Sequence, residues 1–288
     1  MKKLFYLKTI LCFVLFICVI PLTRAGAEDL NPNLLMAKIT QGTDVSAEQG
    51  ALDRDNAGIQ AAIEAQGRHT RSLMSAEDVV GTAVGLTWDG RPAVVVLTKK
   101  EPGYGVIPGS LDNVPVVTLI TGEFLAMAKS KPGVNTTARF NRPVPIGIST
   151  GNEGECSAGT IGARVKKGTD VYALSNNHVY ALENNAAIGS NVLQPGLYDT
   201  GCSYNADNII GTLAEFEPIV FTTEASNEID AAIALSSTSL LGNSTPSGGY
   251  GTPQSVAVTE ALGLSVQKYG RTTKLTKGTI VGINAVIN

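Results

Sequence analysis

The sequence predicts a mainly β fold: a barrel of short strands preceded by a small α+β unit. Three observations lead there. From Ile146 onward, short apolar runs alternate with Gly, Thr and Asn clusters at intervals of about 8–12 residues. Upstream, two valine-rich runs flank Trp88-Asp89-Gly90, and Asp-Gly between such runs is a strong hairpin signal. One stretch, Ala57 to Ser75, repeats its apolar residues on a helical period.

Taken in order, residues 1–27 read as an export signal. Lys2 and Lys3 precede an apolar run from Thr9 to Leu22, Pro21 breaks it, and Ala25-Gly26-Ala27 supplies small residues for cleavage. A run of 14 residues is short for a bilayer-spanning helix, so the expectation is a cleaved signal. The protein is then secreted or periplasmic, with no membrane association after cleavage. Residues 28–78 form a polar, helical N-terminal segment in which Ile59, Ala62, Ile63 and Ala65 share one helix face. Arg68, His69 and Arg71 fall on its solvated side, which makes His69 a surface histidine.

Residues 79–130 read as the small α+β unit. Its strands are Val79–Thr87, Arg91–Thr98 and Val114–Ile120, followed by a short helix over Gly122–Lys129. Trp88, beside the turn, reads as a packing residue. A linker rich in Pro and Gly covers 131–145. Within 146–250 the candidate strands are Ala158–Val165, Val171–Ser175, Val192–Gln194, Ile209–Glu215, Pro218–Thr222 and Ile229–Leu235. Six strands suit a barrel, because closure removes exposed edges. In 251–288, Leu264–Lys268 and Thr279–Ile283 flank a polar turn and read as the opening hairpin of a second barrel, with too little chain following to close it.

Charge and cysteines narrow the function. The signal carries four positive charges and no acid, so its removal takes the formal net charge from −3 to −7. The basic pairs Lys99-Lys100 and Lys166-Lys167 read as solvated strand ends or turns, and nucleic acid is not an expected partner. Cys12 and Cys18 leave with the signal. Cys156 and Cys202 remain, and an even remainder in an exported protein points to a disulfide, the alternative being two unpaired buried thiols. His69 and His178 lie far apart and no His-x-x-x-His or Cys-x-x-Cys spacing exists, so no metal and no cofactor are expected.

Two residues carry the candidate chemistry. Val171-Tyr-Ala-Leu-Ser-Asn-Asn-His178 is a strand running into a histidine, and Asn227-Glu-Ile-Asp230-Ala-Ala-Ile-Ala234 places an aspartate at the mouth of an apolar strand. Imidazole titrates near neutral pH and can both take and return a proton, while a carboxylate entering an apolar strand needs a specific partner. Histidine before aspartate is the order of a Ser-His-Asp triad whose serine comes last.

Four segments in order, Cys156-Ser-Ala-Gly-Thr-Ile-Gly162, Leu174-Ser-Asn-Asn-His178-Val179, Asn227 to Ala234, and Lys268-Tyr-Gly-Arg-Thr-Thr273 with Thr276-Lys-Gly-Thr279, give residues 143–288 a likeness to a known family. This half of the chain resembles the trypsin-like serine peptidases, especially the narrow-leaf type of plants and its bacterial relatives. The unit at 79–128 resembles the small domain preceding the peptidase in such bacterial proteins. The resemblance implies a trypsin-like first barrel, an incomplete second barrel, a peptide or protein substrate cut through an acyl-enzyme, His178 as general base and Asp230 as its orienting carboxylate.

One part of the pattern is missing. After Asp230 the sequence contains no Gly-Asp-Ser-Gly turn, which in the family supplies nucleophile and oxyanion hole. Ser247, in Pro246-Ser-Gly-Gly249, reads as a turn residue, and Ser157 and Ser175 as structural members of the first barrel. The expectation is a chain inactive by itself and ending early. The alternatives are a non-catalytic, protease-derived peptide- or protein-binding module and a secreted β scaffold with a coincidental His and Asp.

Overall fold

The computed structural model describes residues 52–124, 133–222 and 225–287. The expected signal peptide and most of the helix expected at Gly122–Lys129 lie outside the described residues. Two compact units divide what is described: 52–124, 257–266 and 277–287 in one, and 133–222, 225–256 and 267–276 in the other.

In the first unit, Asn56 starts helix α1 (Ala57–Met74) by accepting the amides of Gly58 and Ile59 at 2.9 and 3.3 Å. The helix buries Ile59, Ala62, Ala65 and Leu73 against strands β1 (Val79–Leu86) and β2 (Pro92–Thr98). It is thus a layer on the sheet that follows it. The β1–β2 hairpin turns at Gly90, whose φ of +87° suits glycine, and leaves Trp88 75% exposed rather than packed.

The third expected strand forms as β4 (Val114–Ile120) after the two-residue β3 (Ser110–Leu111). It lies parallel to β2, so the chain between them crosses over instead of turning back. Both β1 and β2 are buried nearly throughout, because α1 covers one face while Leu119, Phe124 and Ala285 pack on the other.

The second unit holds a seven-stranded sheet curled into a half-barrel. Its strands are β5 (Ser149–Asn152), β6 (Gly159–Thr160), β7 (Ala163–Lys167), β8 (Asp170–Ser175), β9 (Asn191–Leu193), β10 (Ile209–Phe216) and β11 (Ala232–Ser236). Their order is β6-β5-β9-β10-β11-β8-β7. Both edges come from one stretch of chain: only Ile161 and Gly162 separate β6 from β7. That stretch bonds both ways, the Ile161 amide to Ile148 O at 3.0 Å and the Gly162 amide to Leu174 O at 2.8 Å.

The inner face gathers Ile146, Ile148, Ile161, Val192, Ile210, Leu213 and Tyr180 into one buried cluster. Each fully buried branched side chain contributes about 1.5–3 kcal/mol. Tyr180 hydrogen-bonds Thr150 Oγ1 at 3.2 Å, and burial pushes its phenol well above its ordinary value.

Two sequence expectations are corrected here. Pro218–Thr222 is not a strand, because side-chain amides take up its backbone groups: Asn184 bonds both the N–H and C=O of Ile219 at 2.9 and 2.7 Å, and Asn227 does the same for Val220 at 2.8 and 3.0 Å. Conversely, β5 was not expected, since Ser-Thr-Gly-Asn lacks any apolar signature, yet all four residues are buried.

In the C-terminal part, β12 (Ser265–Gly270) and β13 (Lys274–Thr279) form a two-stranded sheet. A further strand, β14 (Ile283–Ile287), joins the five-stranded sheet of the first unit, antiparallel to β1. In the second unit, Arg271 between β12 and β13 makes a two-pronged ion pair with Asp199, with Nε to Oδ2 at 2.6 Å and Nη2 to Oδ1. Ser149 donates to the same carboxylate at 2.5 Å, and Arg271 lies 5.6 Å from the Tyr198 ring centroid.

Candidate active site

The position of His178 follows from strand register. β8 and β11 are antiparallel neighbours with Ser175 opposite Ala232, so the residues after β8 and before β11 emerge at the same end of the sheet. After Ser175 the chain makes a one-turn helix, α2 (Asn177–Tyr180). Asp230 lies two residues before β11. Fifty-two residues apart in sequence, the two side chains meet: His178 Nδ1 is 2.5 Å from Asp230 Oδ2.

The carboxylate is held from several sides. The His178 backbone N–H donates to Oδ1 at 3.2 Å, and Asn176 Nδ2 reaches Oδ2 at 3.4 Å and the Asp230 carbonyl at 3.0 Å. The Asp230 side chain is only 2% exposed, the His178 side chain 47%. Burial pushes the Asp230 carboxyl up, but the His178 hydrogen bond and charge, helped by the amides of His178 and Asn177, more than reverse it. The group therefore sits below its ordinary value and is ionised at neutral pH. A carboxylate can only accept, so Nδ1 carries a proton, and in the uncharged form of the ring the lone pair that can act as a base is the one on Nε2.

Beside the imidazole lies a cleft of about 450 Å³, whose wall is made by one segment with Glu155, Ser157 and Gly159 and a second with Val179, Leu182 and Glu183. The second wall has an unusual backbone: Leu182, Glu183 and Asn184 have φ of 50, 55 and 73°, a left-handed turn that side chains rarely adopt. Buried Asn177 holds it, donating to Asn184 Oδ1 at 2.8 Å and to Glu217 O at 2.6 Å and accepting the Asn184 amide at 3.1 Å. Strained backbone persists where surrounding bonds over-determine it, often at functional sites. The first wall is tied by the Cys156–Cys202 disulfide, with Cα atoms 5.2 Å apart, as the cysteine count predicts.

Gly159 sits against Val179, and a Cβ there would overlap both Val179 methyls. Gly159→Ala is expected to displace the residue next to His178 and to cost about 1–3 kcal/mol, measured by urea unfolding.

The serines fall as follows. Ser157 is on the cleft wall, Ser175 donates to Thr160 O at 2.8 Å, and Ser247 lies in a turn closed by Gly249 N to Pro246 O at 2.9 Å. His69 is a surface residue whose Nε2 is 3.1 Å from Asp112. Among the described residues, no group of three or more His, Cys, Asp or Glu could hold a metal ion, and no helix is long and apolar enough to cross a membrane. Sequence reading passed over Asn177, Asn184 and the two cleft glutamates. The Asn-Asn pair before His178 was the available cue, since buried amides beside a turn imply backbone work.

No family model matches the sequence, and no curated protein matches it.

Proposed function

We propose that the chain carries the acid–base half of a trypsin-like serine endopeptidase, with the curled sheet as its first barrel. The observation that carries the reading is the buried Asp230 carboxylate fixing the Nδ1 side of a half-exposed His178, with a cleft beside the ring. In this chemistry Nε2 takes the proton of a serine hydroxyl as its oxygen attacks the peptide carbonyl; the imidazolium, steadied by Asp230, then protonates the leaving amine. Water repeats the sequence on the acyl-enzyme. His178 and Asp230 would supply the proton transfers; the attacking oxygen and oxyanion donors belong to the Gly-Asp-Ser-Gly turn that these 288 residues do not contain. The small sheet unit would be the domain preceding the peptidase, and the disulfide suits an exported protein.

The chain alone is expected to leave casein intact and to take no label from a fluorophosphonate. A chain extended to include a Gly-Asp-Ser-Gly turn should hydrolyse casein. Equal hydrolysis after both His178→Ala and Asp230→Ala contradicts the assignment. A second reading, a protease-derived peptide-binding module, is favoured by the same cleft. It predicts peptide binding without hydrolysis.

A further inference from the structure

His178 and Asp230 touch directly, but the backbones that carry them are tied together by side chains that take no part in proton transfer. We infer that Asn177 is a positioning residue of the dyad, setting the distance between His178 and Asp230 through the Glu217 peptide and the Asn184 turn. This rests on the peptidase reading, in which that distance governs the proton transfers.

β10 ends at Phe216, opposite Ala232 of β11, and beyond it asparagine amides take over the backbone groups. The Glu217 N–H donates to Ala231 O at 2.9 Å, and the Glu217 C=O accepts Asn177 Nδ2 at 2.6 Å. One residue thus bridges the neighbour of Asp230 to the neighbour of His178. Asn177 Nδ2 gives its other proton to Asn184 Oδ1 at 2.8 Å, and Asn177 Oδ1 accepts the Asn184 amide at 3.1 Å. Asn184 in turn holds both backbone groups of Ile219, and Asn227 holds both of Val220. The chain leading from β10 toward Asp230 is therefore pinned at 217, 219 and 220.

The arrangement does more than fill space. Asn177 is fully buried with three hydrogen bonds from its side chain, which fixes the amide in one orientation. Its neighbours in sequence reach Asp230 themselves: Asn176 Nδ2 bonds the Asp230 carbonyl at 3.0 Å, and His178 Nδ1 lies 2.5 Å from Oδ2. A shift of about 1 Å between the two backbones would stretch that last contact beyond hydrogen-bonding range.

The test is the ring ¹⁵N spectrum of His178 in the full chain, recorded with the imidazole uncharged, for the parent, Asn177→Ala and Asn184→Gly. Glycine suits the left-handed backbone at 184, where φ is 73°, so that variant removes the amide without adding strain. In both variants the ratio of Nδ1-protonated to Nε2-protonated ring should fall about tenfold. The control for lost stability is Ile210→Val, a core substitution at the end of β10 away from Asp230, which should leave the ratio unchanged. Should Asn177→Ala fail to fold, Asn184→Gly decides. An unchanged ratio in the folded variants, or an equal fall in Ile210→Val, overturns the positioning role. In the serine-bearing chain, Asn184→Gly should lower kcat for casein about 10–100-fold and leave KM within about twofold. There the two ideas separate. A falling ratio in a chain that leaves casein intact keeps the positioning role and sinks the peptidase; cleavage with kcat unmoved by the substitution keeps the peptidase and sinks the positioning role.

Discussion

Arg271→Ala is expected to destabilise the unit containing the curled sheet by about 3–5 kcal/mol, because it leaves the Asp199 carboxylate charged and buried without its guanidinium. The Asp199 side chain is 7% exposed and that of Arg271 18%, so the pair is largely shielded from solvent. Ser149 would remain as a donor at 2.5 Å, one hydrogen bond against a lost two-pronged ion pair. The midpoint of thermal unfolding should fall by roughly 10 °C. Arg271→Lys should recover only part of this, since an ammonium cannot span both carboxylate oxygens. The double variant Arg271→Met, Asp199→Asn should be milder than Arg271→Ala alone, because no charge is then left unpaired. A loss below about 1 kcal/mol for Arg271→Ala would show that the pair does not anchor this hairpin residue to the sheet.

Asp230→Asn is expected to have the largest effect on chemistry. The amide can present its N–H where the carboxylate accepted, which favours the other imidazole tautomer and puts the proton on Nε2. In the extended, serine-bearing chain the turnover number should fall by about 10⁴-fold with little change in fold. The same substitution should alter the acid limb of stability. Asp230 has its folded pKa below the ordinary 3.8, so its contribution is present above that value and is lost as pH falls through the lower, folded value. Asp230→Asn should abolish that component of acid unfolding, which urea midpoints measured across the acid range would show.

How far this was readable from sequence differs from element to element. The α1 face, the β1–β2 hairpin and β8 were legible because each is local: apolar period, Asp-Gly turn, or an apolar run ending in polar residues. The cysteine pair was legible by counting. Pro218–Thr222 misled because its composition is strand-like, whereas Asn184 and Asn227 decide where its backbone bonds go. β14 and the parallel placement of β4 depend on pairing across long separations, which no local pattern encodes.

The site divides in the same way. His178 and Asp230 each stood out beside a strand, but their meeting depends on the β8–β11 register. The Arg271–Asp199 pair, 72 residues apart, and the two glutamates of the cleft carry no signal in spacing at all.

The most direct measurement is the ¹⁵N spectrum of the His178 ring, recorded above the pH at which the imidazole loses its charge. The proposed roles predict a protonated Nδ1 and an unprotonated Nε2 in the parent, with the pattern lost in Asp230→Asn. A proton resident on Nε2, or a ring that averages between both forms in parent and variant alike, would contradict them.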